Sequence, residues 1–219
     1  MDSKLIKSAY LIVAILLVCC TNNKISFAQQ NDPVITENTE GRHMKCLQVI
    51  ANTAIDMLVA SRNVIAKNQD LINRDPTTGN YSMKGFVPAV VGTQVANDFS
   101  LMTGHKLKQT SLKVRNPSNS PDEWERKVLK LLGSSGHPKN VGFDEMIEVD
   151  GKERFRFMKP IYVESGCLQC HGIKREIRPE IRQFLESKYP FDQAFGYKEG
   201  DLRGGISITL LPERLNIEK

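Results

Sequence analysis

The chain has 219 residues, a formal charge of +5 at pH 7, and is 40% hydrophobic and 25% charged. That length suits one domain of ordinary size with a helical extension, and the composition excludes a disordered or fibrous protein. The positive excess is mild and no basic stripe is interleaved with aromatics, so nucleic-acid binding has no support.

The N-terminus reads as a secretory signal over residues 1–28. Lys4 and Lys7 form its basic start, Ala9 to Cys20 its apolar run, and Ser26-Phe27-Ala28 a small-x-small cleavage site. The apolar run falls short of the roughly 20 residues a membrane span needs. A periplasmic protein with no membrane attachment after cleavage is therefore expected. Loss of Lys4, Lys7, Lys24 and Asp2 leaves 27 basic and 24 acidic residues, net +3. Cys19 and Cys20 leave as well, so Cys46, Cys167 and Cys170 remain. Residues 29–41 are polar, carry Pro33 and read as a flexible leader.

Helical periodicity runs from about Arg42 to Asn73, with Leu47, Ile50, Ala54, Leu58 and Ile65 recurring at steps of three and four. Cys46, Val49, Ile50, Thr53 and Met57 share one broad face of it. A planar ligand could lie there with Cys46 at one end; the same pattern also fits plain core packing. Arg74 to Asn80 is a loop, and Pro88 to Met102 a helix stopped by Gly104. Leu107 to Arg115 alternates as a strand and Asn116 to Asn119 turns the chain. Ser120 as cap, Pro121 and Glu123 predict a capping box opening a helix to Gly133, with Trp124 in packing. Phe143–Val149 and Arg154–Val163 read as strands around an Asp150-Gly151 turn. On the second, Phe155, Phe157, Ile161 and Val163 share one face, and Arg154, Arg156, Met158 and Tyr162 the other. A charged segment, Ile173 to Arg178, leads to a helix over Pro179–Lys188, a loop over Gly196–Gly204 and a strand over Gly205–Leu210. His105 and His137 sit in turns and are expected at the surface. The order predicts an α+β fold with a small, mostly antiparallel sheet.

Between the Arg154–Val163 strand and the charged segment lies Cys167-Leu168-Gln169-Cys170-His171, the attachment signature for a single covalent haem c. Each thiol adds across one porphyrin vinyl group, and His171 is placed under the iron as its proximal ligand. The preceding strand should present a face to the porphyrin. Arg154 and Arg156 are thus candidates for the propionates, and Tyr162, Ile50 and Met57 for the pocket wall. A Cys-x-x-Cys pair can also be a redox dithiol, but no βαβ pattern surrounds it. Zinc is the stronger rival, because His43 and Cys46 with Cys167 and Cys170 would complete a Cys₃His set. Against zinc stand the adjacent His171, the oxidising compartment and the position of His43 at the leader's edge. With Cys167 and Cys170 taken by haem, Cys46 either forms a disulfide or has a specific task.

These residues resemble a family of exported single-haem proteins first characterised in cyanobacteria, over roughly residues 43–213. The resemblance rests on the early helix with Cys46, on Thr110 to Pro117, and on Pro160 to Val163 before the motif. It also rests on Tyr189-Pro190 and on the Ala194 to Asp201 loop. It implies a PAS-like sheet with flanking helices and an N-terminal helical extension, similar to bacterial sensor domains. It further implies axial ligation by His171 and, distally, by Cys46, with His43 as the alternative distal ligand. No kinase, methyl-accepting or cyclase segment follows residue 213, and 214–219 reads as a tail, so a sensor would hand its signal to a separate protein.

The function expected is a redox or diatomic-gas sensor, responding to NO or CO, with no catalytic residues. A thiolate on iron favours the ferric state and a low potential. The alternative is a soluble electron-transfer cytochrome docking an unknown protein partner.

Overall fold

The computed structural model describes residues 39–215 apart from Ser135. The predicted signal peptide, most of the leader and the last residues of the tail lie outside the described residues.

Helix α1 (Thr39–Lys67) begins inside the stretch read as leader and stops before the predicted end. Asn68 breaks it: its side chain donates to the Val64 carbonyl at 2.8 Å, and a single turn, α2 (Gln69–Ile72), follows. Over Gly41–Lys67 this helix is long and apolar enough to cross a membrane. Its stripe Leu47, Ala51, Ile55 and Leu58, at steps of three and four, is instead buried against the sheet.

Helix α3 (Pro88–Thr103) starts on Pro88 and ends at Gly104, from which β1 (Lys106–Thr110) folds back along it. The Ser100 hydroxyl accepts from Leu107 N–H at 3.0 Å at one end of this pairing, and Gln109 donates to the Ala89 carbonyl at 2.9 Å at the other. The strand stops short of the predicted Arg115 because the Ser111 hydroxyl turns inward to the Arg203 carbonyl at 2.7 Å. His105 is buried, contrary to expectation, and its Nδ1 accepts from Leu211 N–H at 3.2 Å. His137 is half-buried, with its Nε2 2.9 Å from the Val141 carbonyl.

Helix α4 (Glu123–Leu132) is capped by Asp122, not Ser120, and the box closes with Glu125. A carboxylate two residues later than the predicted cap does the same work, because Asp122 Oδ1 accepts Glu125 N–H at 2.8 Å. Strands β2 (Phe143–Val149) and β3 (Lys152–Tyr162) form a hairpin through Asp150 and Gly151, both at positive φ. The motif itself forms the single turn α5 (Leu168–His171), and after it come α6 (Pro179–Lys188) and β4 (Leu202–Leu210), which begins earlier than predicted.

The four strands make one antiparallel sheet in the order β1-β4-β3-β2 with helices flanking it, the α+β class expected. Phe155, Phe157, Ile206, Ile208 and Leu210 face α1, whereas Met158 packs with Val128, Leu129 and Leu132 of α4. A shift of register at Ile161/Tyr162 bends β3 where it delivers the chain to the motif.

Candidate haem site

Cys167 closes a 3-10 turn (Ser165–Cys167), and the single turn α5 carries Leu168 to His171, so both thiols and the imidazole issue from successive turns. Cys167 and Cys170 are not joined in a disulfide. Cys167 packs with Val163, Ala194 and Tyr197, whereas Cys170 packs against Ile177, Ile181 and Leu185. Burial pushes the Cys170 thiol up against the pull of Arg115.

The imidazole of His171 is held by the loop before β4. Its Nδ1 lies 2.8 Å from the Ala194 carbonyl, which takes the Nδ1 proton and leaves Nε2 as the nitrogen available to a metal. Tyr197 meets the ring edge-on at 6.1 Å, and its N–H donates to the His171 carbonyl at 3.0 Å. Burial, reinforced by Arg203 and Arg115, pushes His171 down to about 2. The imidazole is therefore neutral, the form that binds iron.

Arg115 fastens this loop to the motif. Its Nε donates to Asp192 Oδ2 at 2.6 Å and its Nη2 to the Cys170 carbonyl at 2.6 Å. Asp192 in turn accepts Ala194 N–H at 2.8 Å, so one carboxylate orients the residue that orients His171. Arg203 donates to Ser111 Oγ at 2.7 Å and stacks over Tyr197 at 5.4 Å. Arg62 of α1 donates to Gln109 Oε1; burial lowers it to about 10, with Cys167 and Arg203 its electrostatic neighbours. Two thiols on adjacent turns and a neutral histidine with one nitrogen tied back form a donor set that fits covalent haem.

Other predicted site residues lie elsewhere. Arg156 pairs with Asp122 at 2.8 Å and stacks over Trp124 at 4.2 Å, on the α4 side of the sheet. Arg154 pairs with Glu213 at 3.0 Å, about 26 Å back along β3 from Tyr162. Neither is placed to meet a porphyrin on the motif. Met57 is 67% exposed and Ile50 packs against the α1 core, so neither lines the site. Tyr162 ends β3 beside the motif with Lys139 over its ring at 5.7 Å.

Cys46 is buried, and near it His43 Nδ1 is buried without a hydrogen-bond partner. The α1 residue that approaches the motif is Arg62, and Cys46 lies about 24 Å earlier along the helix axis. Gln48 near that end bonds Asp144 of the outer strand β2 at 3.2 Å. The packing thus does not bring Cys46 or His43 to His171. It also dissolves the zinc alternative, since among the described residues no three His, Cys, Asp or Glu side chains gather into a metal-holding group.

Arg62, Arg115, Asp192, Tyr197 and Arg203 were not foreseen as site residues. Arg115 and Tyr197 sit in segments that carry the family resemblance, which was the available signal. Arg62 had none, being one arginine on a helix full of polar positions.

No protein of curated function is significantly similar to the chain. Among solved structures, one described as the cyanobacterial heme-protein Tll0287 superposes with a TM-score of 0.58 at 26% identity, covering 77% of this chain and 95% of that one. The profile of one family matches residues 44–210, from within the first turns of α1 to the end of β4 and across the whole motif. The chain belongs to the Tll0287-like family of proteins.

Proposed function

We propose that this chain is a c-type haem protein of the periplasm that senses redox state or a diatomic gas. The observation that carries the haem assignment is the pairing of two reduced thiols on adjacent turns with His171, whose Nδ1 is tied to Ala194 at 2.8 Å. The relationship to a heme protein supports it. Attachment needs no oxidant: each thiol's S–H adds across a vinyl C=C, the sulfur forming a C–S bond and the hydrogen passing to the other vinyl carbon. Haem held there supplies a one-electron couple and an iron able to take a diatomic ligand.

The chain's own part is to hold His171 neutral and aimed, through Ala194, Asp192 and Arg115. Cys46, the distal ligand that the resemblance implies, is buried in the α1 packing. Its thiolate reaches an iron beside His171 only if α1 leaves that packing. Docking of α1 and ligation by Cys46 are therefore alternative states, and the exchange between them is the proposed signal.

The test is expression of the secreted chain in a host that matures c-type cytochromes. Intact mass and a pyridine haemochrome spectrum are expected to give one covalent haem, lost in the Cys167→Ser/Cys170→Ser variant. Protein emerging from that host without a chromophore, or with stoichiometric zinc, overturns the assignment. A ligand set unchanged by redox cycling and by CO or NO overturns the sensing role and leaves an electron carrier.

A further inference from the structure

We infer that Arg62 and Arg203 form a two-pronged clamp for the carboxylates of the porphyrin, a deepening that rests on the haem reading above. The site holds three guanidinium groups, and they are not alike. Arg115 is neutralised by Asp192 at 2.6 Å. Among the described residues, neither Arg62 nor Arg203 forms an ion pair with a carboxylate; burial and Arg203 lower the affinity of Arg62 for its proton, and burial and Arg115 lower that of Arg203, with Tyr197 and Asp192 opposing.

Two largely enclosed cations with no carboxylate paired to either are costly, because burial removes hydration and like charges repel. The fold nevertheless holds both in place. Gln109 accepts from Arg62 while its own amide nitrogen donates to Ala89 O at 2.9 Å and to Thr93 Oγ1 at 3.0 Å. Gly92 leaves the room: a methyl group there would stand 2.8 Å from Gln109 Oε1. Arg203 is held by Ser111 Oγ at 2.7 Å, by the Lys113 carbonyl at 3.3 Å and by the face of Tyr197. Braced guanidiniums with no directly paired carboxylate, beside the proposed attachment thiols and His171, match a ligand with two carboxylates. The porphyrin brings such a pair. The arginines first suspected, Arg154 and Arg156, already have their carboxylates in Glu213 and Asp122.

The experiment compares Arg62→Met and Arg203→Met with the control Arg154→Met, each in the haem-loaded chain and in the chain made without haem maturation. Removing a cation with no paired carboxylate is expected to raise the melting temperature of the haem-free chain and to lower that of the loaded chain. Arg154→Met should move both in the same direction. The propionate bending band in the resonance Raman spectrum should shift in Arg62→Met and Arg203→Met, return with Arg62→Lys, and stay in place in Arg154→Met. An unshifted band, or equal destabilisation of both forms, overturns the clamp while haem remains attached. Wild-type chain that takes up no haem fails the reading beneath it instead, so the two failures are distinct.

Discussion

Asp192→Asn isolates the carboxylate that orients the site. Asp192 and Arg115 meet at 2.6 Å with side chains only 4% and 13% exposed, so this is a buried pair rather than a screened surface one. Asn keeps the shape and an acceptor for Ala194 N–H, removes the charge, and puts an NH2 donor where Oδ2 accepted from Arg115 Nε. Arg115 then becomes a third guanidinium without a paired carboxylate, beside Arg62 and Arg203. Breaking a buried pair from one side costs about 3–5 kcal/mol. In a domain of this size each kcal/mol moves the melting temperature by about 2–4 °C, so a fall of about 6–20 °C is expected. Circular dichroism melts of the haem-free chain read it directly. The double variant Arg115→Met/Asp192→Leu should recover most of the loss, since it removes both charges together. A single variant melting within about 2 °C of wild type, where several kcal/mol are expected, would refute the argument that Asp192 neutralises the site.

Three further outcomes follow from particular groups. Cys167→Ser alone should leave a chain holding haem through one thioether, and Cys170→Ser likewise. Heat denaturation followed by acid-acetone extraction should then retain the chromophore in both and release it only from the double variant. His105 is held down by burial and by Arg214, with Glu213 opposing, so its folded value lies below its unfolded value of about 6.5. Its contribution to stability is thus complete above the unfolded value and lost as pH falls from there through the lower folded value, because the unfolded chain binds the proton more readily. Denaturant titrations of the loaded protein between pH 7.5 and about 5 should show this slope, and His105→Gln, which keeps an acceptor for Leu211 N–H, should flatten it.

The fold was legible where the pattern is local. The Asp150-Gly151 turn between alternating runs fixes the β2–β3 hairpin, and Pro88 with Gly104 brackets α3. The pairing order was not legible, since β1 joins β4 across about a hundred residues and only the tertiary packing decides that register. Cys167, Cys170 and His171 stand out in the sequence because the proposed attachment chemistry would dictate such a spacing. The pairing of Arg154 with Glu213 and of Arg156 with Asp122 has a specific origin. Arg154 and Arg156 lie close to the motif in sequence, but a strand carries its residues away at about 3.3 Å each. The α4 cap that claims Arg156 and the Glu213 that claims Arg154 are distant in the chain and invisible to periodicity. Arg62 and Arg203 reach the motif by the opposite route, from segments that no spacing rule connects to it.

Rigid-helix geometry makes the two ends of α1 rivals. Arg62 rests on Gln109 near the motif, whereas Cys46 lies about 24 Å away along the same axis. No single placement of a straight α1 offers Arg62 to Gln109 and Cys46 to an iron on His171. If ligation by Cys46 competes with docking, then weakening the docked state must favour the ligated one. Ile55 is fully buried between α1 and the sheet, and Ile55→Ala should remove about 2–5 kcal/mol from the docked state. A shift of that size changes the ratio of the two states by a factor of about 30 or more. Electron paramagnetic resonance of the ferric protein should show the thiolate-ligated, low-spin fraction rise in Ile55→Ala and vanish in Cys46→Ala. Loss of the signal in Cys46→Ala with no change in Ile55→Ala would mean that Cys46 reaches an iron without α1 undocking. A helix supplied by a second copy of the chain would then be the remaining source of the thiolate, and the protein's mass in solution would report it.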